Sequence, residues 1–206
     1  PQALAPRFGD GVDVLIGAGR YEIENQLKAR GSSFEALAAR HGARIIWTPI
    51  LLGAVFKATG NSSPAMVPLK ARYMNNDLAR FAQRYGVVLN FNTHFPVNTL
   101  PLMRGAVAYQ ATNQFDIYVN AMFDAMWAHP RNLNDQAEVA HVLNDIGIEP
   151  GDFVARIERP DVKEKLKANT ESAVARGVFG APTFFVNGDM FFGQDRLDFV
   201  EEKLLP

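Results

Sequence analysis

Two adjacent pairs of residues near the end of the sequence could bind a small polar ligand. Ala181 and Pro182 directly precede an apolar run that is typical of a strand, and Gln194 and Asp195 follow it. A cis bond before Pro182 is compatible with this position, and it would leave the N–H and C=O of Ala181 free to pair with an extended ligand. The pattern therefore indicates a backbone binding site, with an ordinary edge proline that closes a loop as the alternative.

Three polar side chains could add charge and hydrogen bonds to such a site. Asp195 lies at the start of a predicted helix, where it can cap the backbone N–H groups and also face a ligand ammonium, and capping alone is the simpler role. Asn61 follows Gly60, so its amide could bond its own backbone in a turn. Lys57 is a solvated charge unless a ligand carboxylate lies nearby. Each residue thus has a structural and a ligand-binding interpretation.

Other kinds of catalytic chemistry find little support in the sequence. It has no cysteine, which excludes disulfides, a cysteine nucleophile and a redox CxxC motif. The four histidines lack the spacing of a metal site. The stretch Ile16–Gly19 begins like a dinucleotide-binding turn but lacks the third glycine and the later ribose-binding acid. We therefore expect no metal, and any sulfur chemistry must use a thiol from another molecule.

The composition is that of a chain with one substantial hydrophobic core. Of the 206 residues, 48% are hydrophobic and 21% are charged, and the formal net charge is −1. Such a charge gives no broad basic surface for nucleic acid or an anionic membrane. No apolar run is long enough to cross a bilayer, and the first residues lack the layout of a signal peptide. We therefore expect a cytoplasmic protein with neither nucleic-acid nor membrane partners.

The first fifty residues predict a β-α-β unit. Val12–Ile16 is a short apolar run with β-branched residues, and helical spacing follows it. Ser32–Glu35 has the Ser-x-x-Glu form of a capping box, which indicates a second helical stretch. Residues 43–48 predict a strand that ends at Pro49. The connection suits a right-handed crossover between parallel strands.

The rest of the chain predicts a long helical region followed by a hairpin and a last helix. Helices are predicted around 66–85, 99–129, 135–145 and 162–176, the second of them with a possible kink. Thr183–Val186 predicts a strand, and Asn187-Gly188 predicts a tight turn into a returning strand. The order β-α-β, helical insertion, β-β-α is that of an α/β, thioredoxin-like fold. We expect residues 1–50 and 177–206 to form the thioredoxin-like domain and residues 51–176 an all-helical insertion domain.

Four motifs give the sequence a family resemblance. They are Trp47–Asn61, Phe91–Leu100, Met103–Ala106, and the ending Gly180–Val186 with Phe192–Leu197. In this order they resemble the 2-hydroxychromene-2-carboxylate isomerase family, which is related to kappa-class glutathione transferases and more distantly to DsbA-type oxidoreductases. The match runs from about Phe34 to the end of the chain. It implies a thioredoxin-like fold of the DsbA and kappa-class type with a helical insertion.

The resemblance implies a glutathione-dependent isomerase that interconverts 2-hydroxychromene-2-carboxylate and trans-o-hydroxybenzylidenepyruvate during the breakdown of naphthalene-like aromatics. In such enzymes the glutathione thiolate adds to an aromatic carboxylate substrate and is later eliminated. By resemblance, Ala181 beside Pro182 would pair with the glutathione backbone, and Gln194 and Asp195 would hold its γ-glutamyl end. Lys57 and Asn61 would contact the tripeptide or the substrate. A homodimer is also implied.

The sequence departs from the family at the group that activates the thiol. Family members place a Ser-Pro pair after the first strand, where this chain has Ile16–Glu22. Tyr21 is the nearest hydroxyl that could lower the thiol pKa in place of the serine. Two alternatives follow from this departure: a kappa-like glutathione transferase, or a glutathione-binding protein that has lost catalysis.

Overall fold

Four strands form one mixed sheet in the computed structural model, which describes residues 12–16 and 34–205. They are β1 (Val12–Ile16), β2 (Ile45–Pro49), β3 (Thr183–Val186) and β4 (Asp189–Phe192), in the spatial order β2-β1-β3-β4. β1 is parallel to β2 and antiparallel to β3, which is antiparallel to β4. The predicted parallel pair and the predicted C-terminal hairpin are therefore confirmed.

The hairpin between β3 and β4 follows from its two turn residues. Asn187 and Gly188 have φ values of 51° and 88°, and Asn-Gly is the pair that adopts this left-handed turn at least cost. All of β3 is buried because it lies between β1 and β4, whereas the edge strand β4 is mostly exposed. The loop that enters β3 therefore starts from a firmly packed strand.

Helices account for most of the chain between β2 and β3, as predicted. The described α-helices are α1 (Phe34–Arg40), α2 (Leu52–Thr59), α3 (Pro68–Tyr85), α4 (Leu100–Tyr109), α5 (Phe115–Phe123), α6 (Gln136–Asp145), α7 (Pro150–Glu158), α8 (Pro160–Ala175) and α9 (Leu197–Leu204). Short 3-10 turns lie at Pro64–Met66 and Gln194–Arg196, and a π-helix follows α5 at Asp124–Ala128. Within the described ranges, no helix combines the length and the apolar character needed to cross a bilayer.

The predicted helix over residues 99–129 is interrupted, so the prediction of one continuous element is wrong. α4 ends because the Thr112 hydroxyl donates to the Tyr109 carbonyl at 2.7 Å. The N–H of Gln114 in turn donates to the Thr112 hydroxyl oxygen at 3.2 Å. Such side-chain bonds compete with the helical ladder and turn the chain before α5 begins.

A buried hydrophobic cluster connects the sheet with the helical region. Phe184 of β3 belongs to the same cluster as Tyr109 of α4, Tyr118 of α5 and Val200 of α9. All four are almost completely buried. The predicted division into a thioredoxin-like domain and an insertion domain stays a prediction, and this shared core packs the two parts together.

Two residues at the end of α1 bind a carboxylate on α9. Glu201 accepts hydrogen bonds from His41 Nε2 and from Arg40 Nη2, each at 2.9 Å. The bond from His41, followed by the one from Arg40, holds the pKa of Glu201 below its ordinary value. The charged form of Glu201 therefore links α1 to the last helix.

We expect Glu201→Gln to lower the free energy of unfolding more near pH 7 than at about pH 3. A carboxyl group whose pKa is lower in the folded state stabilises the fold above its unfolded pKa, and this contribution is lost as the pH falls through the folded pKa. Urea unfolding at the two pH values measures the difference. Glu202→Gln, at the exposed neighbouring position, is the control. An equal effect of Glu201→Gln at both pH values would contradict the assignment.

Candidate functional site

The loop Phe179–Pro182, which enters β3, is fixed by hydrogen bonds from three other positions. Three of its carbonyl oxygens accept such bonds: Phe179 from Asn61 Nδ2 at 2.8 Å, Gly180 from the Thr183 hydroxyl at 2.8 Å and Pro182 from the Gly193 N–H at 3.0 Å. These donors come from the segment after α2, from the first residue of β3 and from the residue after β4. The loop backbone is therefore held along most of its length.

Ala181 is the exception among the four carbonyls of this loop. In the part of the chain that the structure describes, neither its N–H nor its C=O has a hydrogen-bond partner. The peptide bond between Ala181 and Pro182 is cis, so the predicted cis bond is confirmed and the alternative of an ordinary edge proline is excluded. Because backbone groups of folded proteins are almost always paired, the free groups of a half-buried residue are available to a ligand.

Asn61 follows the end of α2 and contacts this loop, and Lys57 lies in the last turn of α2. The helix ends at Gly60, whose φ of 71° requires a residue that tolerates the left-handed region. Asn61 follows it and binds the Phe179 carbonyl. Lys57, one turn earlier, is exposed, and its ammonium has no ion pair within the described ranges. Lys57 therefore provides an exposed positive charge one helical turn before the residue that binds the Phe179 carbonyl.

Asp195 follows the opposite end of the loop. It comes two residues after Gly193, which has a φ of 103° and whose N–H binds the Pro182 carbonyl. The Asp195 carboxylate pairs with Arg196 Nη1 at 2.8 Å and is 39% exposed, so a ligand cation can still reach it. The prediction that Asp195 caps the last helix is wrong, because α9 begins only at Leu197 and the carboxylate pairs with Arg196 instead.

An aromatic pair that sequence analysis did not single out borders the loop. The rings of Phe179 and Phe192 lie with their centroids 4.6 Å apart, and both side chains are exposed by more than a third. Gly180 leaves room for this contact, since a Cβ there would lie 2.6 Å from Phe192 Cε2. The sequence signal for this pair is the Phe-Gly dipeptide before Ala181, because a side chain at Gly180 would collide with the Phe192 ring.

The helical region contains a small apolar cavity, lined in part by Met103, Met122 and Met126. Its volume is about 40 Å³, whereas a cavity that binds benzene measures about 150 Å³. This cavity is therefore too small for a benzene-sized ligand. Within residues 12–16 and 34–205, no three His, Asp or Glu side chains lie close enough together to hold a metal ion.

The structure brings three of the predicted site residues, Asn61, Ala181 and Pro182, together at one loop. Asn61 and Gly193 bind its two ends, and Lys57 and Asp195 lie close in sequence to these two contacts. Gln194 begins the 3-10 turn after Gly193, and its side chain lies outside the described part of the structure, as does Tyr21. The roles assigned to these residues in binding and catalysis stay predictions.

Comparisons with known proteins place this arrangement among related folds. The family model of the DSBA-like thioredoxin domain matches residues 29–205. A 2-hydroxychromene-2-carboxylate isomerase from Sphingobium xenophagum is 32% identical over 172 residues, which cover 82% of this chain and 87% of the relative. Glutathione S-transferase kappa 1 from Rattus norvegicus is 25% identical over 166 residues, 74% of each chain. A solved structure of a 2-hydroxychromene-2-carboxylate isomerase has a TM-score of 0.78 and 28% identity, covering 93% of this chain and 92% of the other.

We expect Gly180→Ala to cost about 1 kcal/mol or more of stability, because its Cβ would collide with the Phe192 ring. In a Phe192→Ala background the collision is absent, so the same substitution should cost less. Urea unfolding of both single variants and the double variant measures this coupling. Gly53→Ala, at a helical glycine with no atom within 4 Å of its added Cβ, is the matched control and should be neutral or stabilising. Strictly additive costs at Gly180 and Phe192 would refute the contact.

Proposed function

Because the chain belongs to the DSBA-like thioredoxin domain family, and within it to the 2-hydroxychromene-2-carboxylate isomerases, we propose that it is a glutathione-dependent isomerase. It would interconvert 2-hydroxychromene-2-carboxylate and trans-o-hydroxybenzylidenepyruvate in the breakdown of naphthalene-like aromatics. The observation that carries the proposal is the free backbone of Ala181 in a loop whose other carbonyls are occupied.

The residues around the loop fit a peptide-like thiol. The N–H and C=O of Ala181 could each pair with one backbone group of an extended peptide, as between neighbouring strands. Glutathione carries an ammonium at its γ-glutamyl end and a carboxylate at its glycine end. Asp195 and Lys57 carry the opposite charges, and they lie close in sequence to the residues that bind the two ends of the loop. In this proposal the ammonium therefore faces Asp195 and the glycine carboxylate faces Lys57.

Each residue has a separate role in this proposal. When bound, glutathione supplies a thiolate nucleophile, which a chain without cysteine lacks. Ala181 aligns the peptide beside Pro182, while Gln194 and Asp195 hold the γ-glutamyl end and Lys57 the glycine carboxylate. Tyr21 would donate a hydrogen bond to the sulfur and stabilise its charged form. The exposed rings of Phe179 and Phe192 offer an apolar surface to an aromatic carboxylate substrate.

A glutathione transferase is the second candidate, favoured by the kappa-class relatives. The absence of the family's Ser-Pro pair supports a third one, a glutathione-binding protein without catalysis. An isomerase leaves the amount of free thiol unchanged while the substrate ring opens. A transferase accumulates a thioether and consumes thiol. Assaying thiol and substrate together therefore separates all three candidates.

The proposal extends to a cytoplasmic homodimer, as the family resemblance implies. Met66, in the 3-10 turn before α3, forms an exposed apolar stripe with Leu69 and Tyr73 of α3, and the exposed fractions are 74%, 74% and 62%. A second copy that covered this stripe would remove three large apolar side chains from water. Sedimentation at increasing protein concentration measures the oligomeric state.

We expect glutathione to bind and to stabilise the fold, by about 2.7 kcal/mol at a hundred times its Kd. Asp195→Asn should weaken binding by at least about tenfold, because it removes a charge-assisted hydrogen bond to the ammonium. Calorimetric titration measures both values. Asp198→Asn, an acid in the first turn of α9, is the control and should bind like the wild type. No stabilisation at millimolar glutathione would rule out the proposed function.

A further inference from the structure

The side chain of Asn61 is occupied by the protein itself at both ends of its amide. Its Nδ2 donates to the Phe179 carbonyl at 2.8 Å, and its Oδ1 accepts from the Ser62 N–H at 2.8 Å. Two bonds in opposite directions fix the plane of the amide. A ligand could use only the second N–H of Nδ2 or the remaining lone pair of Oδ1. The main work of this side chain is therefore to join two segments that lie 118 positions apart in sequence.

Both ends of this connection rest on the same buried cluster. On one side, Val55 of α2 is completely buried, and its carbonyl accepts from the Thr59 hydroxyl at 2.9 Å in the last turn. On the other side, Val178 directly precedes Phe179 and is also completely buried. Val55 and Val178 belong to one hydrophobic cluster with Ile50. The Asn61 hydrogen bond therefore holds the Phe179 end of the loop at a fixed position relative to this packed cluster.

The other two hydrogen bonds act further along the loop. Thr183 holds Gly180, and Gly193 holds Pro182, so both act from the side of β3 and β4. Among the described residues, Asn61 supplies the hydrogen bond that acts from the side of α2. The contact between the Phe179 and Phe192 rings would remain without it but does not fix the direction of the backbone. Loss of the Asn61 bond should therefore loosen the backbone just before Ala181.

We propose that Asn61 is a positioning residue, which holds the Phe179–Pro182 loop so that Ala181 presents its N–H and C=O to the peptide backbone of glutathione. This role differs from the direct contact with the tripeptide or substrate that the sequence predicts for Asn61. The proposal rests on the proposed function for the identity of the ligand. The constraint on the loop rests on the structure alone and can be tested without any ligand.

The first experiment measures the mobility of the ligand-free loop. Both Asn61→Ala and Asn61→Asp lose the donor to Phe179, but the aspartate keeps an acceptor for the Ser62 N–H. We expect NMR order parameters at Gly180 and Ala181 to fall from about 0.85 in the wild type to below about 0.6 in both variants. Asn90→Ala is the matched control, since Asn90 Nδ2 donates to the Ala128 carbonyl at 2.7 Å in the helical region. Unchanged order parameters in both Asn61 variants would overturn the proposal.

The second experiment separates positioning from direct contact with the γ-glutamyl or the glycine end of the tripeptide. Binding of glutathione, γ-glutamylcysteine and cysteinylglycine is measured for the wild type and for Asn61→Ala. Each ligand keeps a nitrogen donor and an oxygen acceptor on the cysteine that would pair with Ala181, although the donor is an ammonium in cysteinylglycine and the acceptor a carboxylate in γ-glutamylcysteine. We therefore expect the variant to bind each of them weaker by a similar factor, about 3- to 10-fold. Asp195→Asn provides the contrast, since its effect should be smaller with cysteinylglycine, whose ammonium lies on the cysteine and not at a γ-glutamyl end.

The outcomes of the two experiments are distinct. If the Asn61→Ala effect vanishes with one of the truncated peptides, Asn61 contacts the missing part directly and the positioning role is wrong. If the wild type binds none of the three peptides, the proposed function fails. The order parameters would then still decide whether Asn61 holds the loop. Mobile loops in both Asn61 variants, with uniform losses of affinity, would support both proposals.

Discussion

The candidate site depends on how the backbone carbonyls of one four-residue loop are used. Side chains or N–H groups from α2, β3 and the turn after β4 occupy three of them, and the groups of Ala181 are left without a partner in the described chain. Unpaired backbone groups raise the free energy of the folded protein when they are buried. A ligand that pairs with such groups at a fixed, half-exposed position therefore stabilises the fold. This arrangement is the basis on which we propose the loop as a receptor for an extended peptide.

Two charged residues flank the contacts that hold the loop. Lys57 lies one helical turn before Asn61, and Asp195 lies two residues after Gly193. The proposed function uses these two charges, which are far apart in sequence, to bind the two ends of a zwitterionic peptide that brings the sulfur with it.

Local signals predicted the elements of the fold well where they act within a few residues. Pro49 ends β2, and Asn187-Gly188 forms the hairpin turn that its backbone preferences favour. The break after α4 was missed because a threonine hydroxyl competes with the helical ladder, and hydrophobic spacing does not report such a bond. The spacing also predicts no helix over residues 150–158, yet the Glu149 carboxylate accepts from two N–H groups there and caps α7.

The sequence by itself determined the order of the elements, the family, the lack of a thiol and the set of residues around Ala181, because these follow from residue types and their spacing. Only the tertiary structure decided what several of those residues do. Asn61 binds a carbonyl from a distant loop, and Asp195 pairs with Arg196 instead of capping a helix. The reason is physical: a hydrogen bond between segments 118 residues apart forms only after packing has brought them together.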